Sequence, residues 1–284
     1  MTTAAPPSAP GAPVPPTPVP GLFISFEGGD GVGKTTQIRI LADLLAAADV
    51  NHILTREPGG TELGVEIRRL LLHGGHVAPR AEALLYAADR AYHVATVIAP
   101  ALERGAVVLG DRYIDSSLAY QGAARSLGVD EIASLSAWAT RGLYPSLTFL
   151  LDLPPEVGLH RHTDAPDRME RESMDFHERV RHEYLRLADA EPDRIVVIDA
   201  VGTVDEVFSE IRGVLVERFE GGSVTIDEAD DAVPAPAEET PASSSEVSEA
   251  PEKPRDKSAD KGSARKPATM VGALGESQGA LWDE

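Results

Sequence analysis

The 284-residue chain contains no cysteine, so it forms no disulfide and offers no thiolate to a metal. No apolar run approaches 18 residues, so no segment reads as membrane-spanning. Bases are scarce: 26 Lys and Arg stand against 46 Asp and Glu, a net charge of −20. Residues 221–284 hold 14 acids and 6 bases, which leaves −12 on the rest, so the acidity is not confined to one end. A nucleic-acid backbone is held by a Lys/Arg stripe, and an acidic body argues against such a polymer as partner. Charge is missing altogether from residues 1–20, which carry eight prolines. That stretch buries no core and reads as a disordered, partly polyproline-II leader; with no basic start and no unbroken apolar run, it does not read as a secretory signal. Residues 221–284, rich in Pro, Ala, Ser and Glu and then in Lys, read as a disordered tail. What remains, residues 21–220, is long enough for one domain with a sizeable core. The expectation is a cytoplasmic protein.

Within that domain, strand-like and helix-like stretches alternate without an internal repeat. "LFISFE" is a short apolar strand, and "TTQIRILADLLAAA" places Ile38, Leu41, Leu44 and Leu45 at helical spacing. "HILT" is a second strand, followed by the turn chemistry of "EPGGT" and a helix stopped by Gly74 and Gly75. Pro79 opens a long helical region that Pro100 kinks or restarts. "AVVLGD", "LTFLLDL" and "RIVVIDA" supply three more strands, with helical stretches between and after them. "AVVLGD" is too apolar to have a wet face, as befits a central parallel strand. The order predicts a three-layer α/β domain: a five-stranded parallel sheet with helices on both faces.

One motif carries phosphate chemistry. Residues 28–35, "GGDGVGKT", fit G-x-x-x-x-G-K-[ST] between a buried strand and a helix, the context a P-loop requires. Gly28, Gly29, Gly31 and Gly33 let the backbone curl with its amides inward, toward the positive end of the helix. Val32 and Thr36 complete the expected nucleotide-binding stretch. Lys34 should reach the outer phosphates, and Thr35 should ligate Mg²⁺. Asp30 is the odd member, because an acid facing a triphosphate repels it. A carboxylate there suits a second substrate instead, accepting a hydrogen bond from a sugar hydroxyl. The motif thus points to a small-molecule kinase with a sugar-bearing acceptor.

Three further stretches fit that reading. Arg56, in "TREPGG", ends a strand at the edge where open α/β sheets bind ligands. In "VVLGDRY", Asp111 stands where the Mg²⁺-binding acid of P-loop enzymes belongs, and Arg112 lies one residue beyond, free to bind an anion. Tyr86 and Arg90, in "YAADR", share a helix face at i, i+4, placing a ring one turn from a guanidinium. His160, His162, Asp164 and His177 invite a metal reading, but alternate spacing on a polar loop reads more simply as solvated. His73, His76 and His93 read as helix-end or surface residues.

Together these residues resemble the thymidylate kinases, over "FEGGDGVGKTTQ", "TREPGGT", "EALLYAADRAYHV", "GDRYIDSSLAYQG", "LDLPPEVGL" and "DRMERESMDFHERV". The resemblance implies phosphorylation of dTMP to dTDP by ATP and Mg²⁺ in a homodimer. It implies that Asp30 accepts from the deoxyribose 3′-hydroxyl and that Arg56 and Arg112 hold the dTMP phosphate. Tyr86 stands where the family stacks a ring on thymine. Arg90 would meet thymine O4, with Ser117 and Gln121 on the remaining edge and Tyr120 near the 2′ carbon. Family members take a catalytic arginine either from the P-loop, just after the acid, or from the lid. Gly31 occupies the first place, so the lid, residues 158–173, should supply it. Related lids carry several basic residues before the "DR" pair, and this one is thin. Arg161 is the transition-state candidate and Arg168 the adenine- or phosphate-side contact, alongside Lys34 and Arg112. Two rival readings stay open: a catalytically slow binding or regulatory protein on the kinase fold, and a kinase for a different nucleoside monophosphate or small acid.

Overall fold

A computed structural model describes residues 21–161 and 166–219. The expectations for the leader, the tail, His162 and Asp164 therefore lie outside the described residues. The rest folds as expected, with β1 (Leu22–Glu27), β2 (His52–Arg56), β3 (Val107–Asp111), β4 (Leu147–Asp152) and β5 (Ile195–Asp199) in one parallel sheet of order β2-β3-β1-β4-β5.

β1 is central and buried on both faces, which its apolar run requires. Phe23 points into one core, with Ile67 and Leu71 of α2 (Glu62–His73) and Phe176, Val180 and Leu187 of α8 (Met174–Ala190). Ile24 and Phe26 point into the other, with Ile38 and Leu41 of α1 (Lys34–Ala47) and Ile211 and Leu215 of α9 (Val204–Phe219). Phe26 meets Phe149 of β4 with ring centroids 5.3 Å apart, and truncating such a buried ring costs about 3–5 kcal/mol.

The long helical region is broken, as Pro100 suggests. α3 (Pro79–His93) runs into a π-helical segment (Val94–Ile98), and α4 (Ala99–Glu103) restarts with Pro100 in its first turn. A proline lacks the N–H and crowds the preceding turn, and the wider turn accommodates both. A second π-helical segment (Leu118–Ala124) follows α5 (Ile114–Ser117) and precedes α6 (Val129–Thr140). α7 (Pro155–His160) leads into the lid. Among the described residues no helix is long and apolar enough to cross a membrane.

Strand register builds the rest. Phe26, Asp111 and Arg56 lie side by side across β1, β3 and β2. Just beyond, the Arg112 amide donates to Phe26 O and the Glu57 amide to Asp111 O at the carboxyl edge, where the P-loop begins.

Candidate active site

Glycine geometry shapes the P-loop. Gly28 and Gly31 have φ of 132° and 73°, and Gly33, at φ 96°, opens α1 with no side-chain cap. The first-turn amides of α1 are thus left for an anion. Val32 is buried and anchors the loop. Lys34 Nζ donates to the carbonyls of Gly29 (2.6 Å) and Gly28 (3.2 Å), folded across the cradle. Burial, and next the Arg112 guanidinium, push its ammonium down to about 8. Thr35 Oγ1 donates to Asp111 Oδ2 at 2.9 Å. A hydroxyl and a carboxylate meeting at the loop mouth are hard oxygen donors, and the pair fits Mg²⁺. Thr36 is exposed beside them.

The acid in the loop is paired. Arg112 Nη2 lies 2.5 Å from Asp30 Oδ1, and Tyr120 Oη donates to Oδ2 at 3.3 Å. Burial alone would raise the Asp30 carboxyl; Arg112, then Lys34, outweigh it and hold it below the usual range. Arg112 itself has φ 68°, a left-handed conformation costly for a branched or long side chain. Its amide bonds Phe26 O, and its guanidinium also donates to Gly28 O (2.9 Å), so strand and loop together hold it there. Behind it, Glu27 is fully buried and accepts from the Tyr113 amide (2.7 Å), Ser116 (2.6 Å) and Tyr184 (2.9 Å). Sequence reasoning missed Glu27 and Tyr184, although an acid ending a largely apolar strand was a signal.

A cavity of about 410 Å³ runs from the P-loop to a chamber lined by Tyr86, Arg90, Ser117, Tyr120 and Gln121, with Arg56 and Arg68 at its side. The structure thus brings together every residue expected for the acceptor. Arg90, however, does not stand free: it is 1% exposed, and its guanidinium donates to Glu57 (2.7 Å), Ser117 (3.1 Å), Ser136 (3.3 Å) and Tyr113 O (2.8 Å). Glu57 also pairs with His93 at 2.9 Å, which in turn bonds Thr55. His93 thus stands at a helix end, as one of its two expectations had it, but buried in this network rather than on the surface. Arg68 was not foreseen. Its guanidinium is lowered by burial and then by Arg56, so like charges crowd one point, as at a site built for an anion.

The lid arrangement divides its two arginines. Arg161 is exposed and lines the cavity, and among the described residues its guanidinium makes long contacts to Ala200 O, 3.4 and 3.5 Å. Arg168 is engaged by protein groups. Its Nε donates to Leu71 O at 2.6 Å and its Nη2 lies 2.7 Å from Glu82 Oε2, in the first turn of α3. The absence of an arginine after Asp30 also has a steric cause. A Cβ on Gly31 would sit 2.0 Å from Gly158 O of α7, and one on Gly158 would sit 2.3 Å from Asp30 O. The expectation that His177 is solvated fails: it is 5% exposed and faces the back of the P-loop with Nε2 unpaired. Among the described residues no three His, Cys, Asp or Glu are grouped to hold a metal.

The model of the thymidylate kinase family matches residues 26–211. The chain belongs to the thymidylate kinase family. It is 58% identical over 196 residues to the thymidylate kinase of Clavibacter michiganensis subsp. michiganensis (strain NCPPB 382), covering 68% of this chain and 93% of that protein. Identity to the thymidylate kinase of Leifsonia xyli subsp. xyli (strain CTCB07) is also 58%, over 201 residues, 69% of this chain and 95% of that one. With the thymidylate kinase of Bifidobacterium longum (strain NCC 2705) it is 55% over 202 residues, 69% and 98%. Family membership thus covers the P-loop, the chamber and the lid of this thymidylate kinase relative alike.

Proposed function

We propose that this protein transfers the γ-phosphoryl group of ATP to dTMP, giving dTDP in the supply of dTTP, and that its catalytic domain spans residues 21–220. The observation that carries the reading is the Asp30–Arg112 pair at the junction of the P-loop and a nucleotide-sized chamber within one cavity. Residues 28–36 cradle the ATP phosphates, with Lys34 on the outer ones. Mg²⁺, held by Thr35 and Asp111, would neutralise charge on the phosphate oxygens. In the chamber Tyr86 stacks on thymine, Ser117 and Gln121 meet its edge, and Arg90 reaches it only with what Glu57 leaves free. Asp30 accepts from the 3′-hydroxyl and Tyr120 stands by the 2′ carbon. Arg56 and Arg112, joined by Arg68, hold the dTMP phosphate. That phosphate is already ionised at neutral pH, so the protein needs no general base; it aligns two phosphates and stabilises charge between them.

Arg161 is the lid arginine positioned for that stabilisation, and Arg168 is withdrawn from the set. Arg161→Ala is expected to lower kcat by roughly 10³-fold with little change in dTMP KM, read by steady-state kinetics. An unchanged kcat removes Arg161 from the role. The site serves small cytoplasmic metabolites, and exposed Leu63 and Leu70 of α2, Leu84 and Tyr92 of α3, and Trp138 of α6 support a homodimer formed through these adjacent helices. The deciding test of the reaction is a coupled assay of ADP release with Mg·ATP and dTMP, with dUMP, UMP, CMP and AMP as alternatives. Fast turnover on dTMP alone supports the reading, and preference for another monophosphate overturns it.

A further inference from the structure

Glu82 is a fully buried charge on which four contacts from three residues converge. It lies in the first turn of α3, one turn before Tyr86 and two before Arg90, on the face that lines the chamber. Gln121 Nε2 donates to its Oε1 at 2.9 Å. Arg125 Nε reaches Oε1 at 3.2 Å, Arg125 Nη2 reaches Oε2 at 3.3 Å, and Arg168 of the lid lies 2.7 Å from Oε2.

A carboxylate between two guanidinium groups only accepts hydrogen bonds. Whatever side of the Gln121 amide meets it must therefore be the nitrogen, which settles an orientation that side-chain shape alone leaves ambiguous. Gln121 is 2% exposed and borders the chamber, and no protein donor meets its Oε1 among the described contacts. The amide thus offers its neighbour in the chamber an acceptor. Beside it, Arg90 already donates to Ser117.

We propose that Glu82 is a positioning residue that sets pyrimidine choice: by holding the Gln121 amide nitrogen, it presents an oxygen that accepts the N3–H of a keto pyrimidine and repels the bare N3 of cytosine. The inference rests on the dTMP kinase reading. An acceptor facing an acceptor leaves two buried polar groups unpaired, the arrangement by which sites reject near-isosteres most strongly. Arg168 adds a link to the lid, since the lid docks on the same carboxylate that orients the base reader.

The test is the ratio of kcat/KM for dTMP to that for dCMP in the full-length chain. In Glu82→Gln one carboxylate oxygen becomes an amide NH2 donor, Gln121 is free to turn, and the ratio should fall roughly 10- to 100-fold, chiefly through KM. Glu82→Asp keeps the charge for both arginines but withdraws the acceptor from Gln121; it should lower the ratio too, and it serves if Glu82→Gln does not fold. Arg125→Leu breaks ion pairs to Glu82 without touching Gln121, and should lower the thermal midpoint while leaving the ratio within about twofold, less than one lost hydrogen bond. A ratio unmoved in both Glu82 variants, or lowered equally by Arg125→Leu, overturns the proposal and makes Glu82 a purely structural hub. Should the wild-type chain not phosphorylate dTMP, the function itself fails; wild-type turnover with an unmoved ratio sinks only the role of Glu82.

Discussion

Lys34 and Arg90 show how far a single residue's chemistry depends on what surrounds it. The Lys34 ammonium, pushed down to about 8 by burial and then by Arg112, is disfavoured in its charged form in the fold. Its folded value lies below the unfolded one of about 10.4, so between these values the unfolded chain binds more protons and this group adds stability as pH rises. Below about pH 8 its charge is a cost that ATP removes, because the phosphates bring opposite charge. We expect Mg·ATP binding at pH 8 to take up part of a proton, measured by calorimetry in two buffers of different ionisation enthalpy. Lys34→Met should abolish the uptake; none in the wild type would mean the amine is fully charged before ATP arrives. Arg90 is different. Its spacing from Tyr86 was plain in the sequence, but its partner Glu57 lies 33 positions away on another element. Breaking a buried pair leaves an uncompensated charge, so Arg90→Met should cost about 3–5 kcal/mol in urea unfolding. A loss below about 1 kcal/mol, the worth of an exposed pair, would return Arg90 to the role of a free base contact.

Elements were legible where periodicity or punctuation marks them. Five apolar runs became five parallel strands, and Pro100 restarts a helix as expected. The π-helical segments were not legible, because an extra residue in a turn leaves no trace in a pattern of apolar spacing. The segment at Leu118–Ala124 matters most, since it carries Tyr120 and Gln121 to the chamber. The contact of the P-loop with α7 is likewise a tertiary fact, in which two glycines let two backbones touch. Gly31→Arg is therefore expected not to supply the missing arginine. The left-handed φ costs about 1–3 kcal/mol and the side chain displaces α7 from the loop. We expect a lower melting temperature and a raised ATP KM; a rise in kcat at unchanged stability would show that α7 yields freely.

For the whole molecule, the exposed apolar residues of α2, α3 and α6 call for a partner surface, and a second copy is the one we propose. Trp138 is 80% exposed and Leu84 59%, values that a packed interface would explain. Sedimentation at micromolar concentration should give a dimer, and Leu84→Glu combined with Trp138→Glu should give a folded monomer. A wild-type monomer would leave that face to another partner. The sequence by itself determined the parallel sheet, the phosphate loop and the identity of the family, because apolar period, glycine placement and the order of short motifs are all local. Only the tertiary structure decided which charges are free. Strand register set Phe26, Asp111 and Arg56 side by side, while the loops, helices and lid around the sheet paired Asp30 with Arg112, Arg90 with Glu57 and Arg168 with Glu82. A buried charge is governed by the neighbour it meets, and those neighbours lie dozens of residues away in the chain.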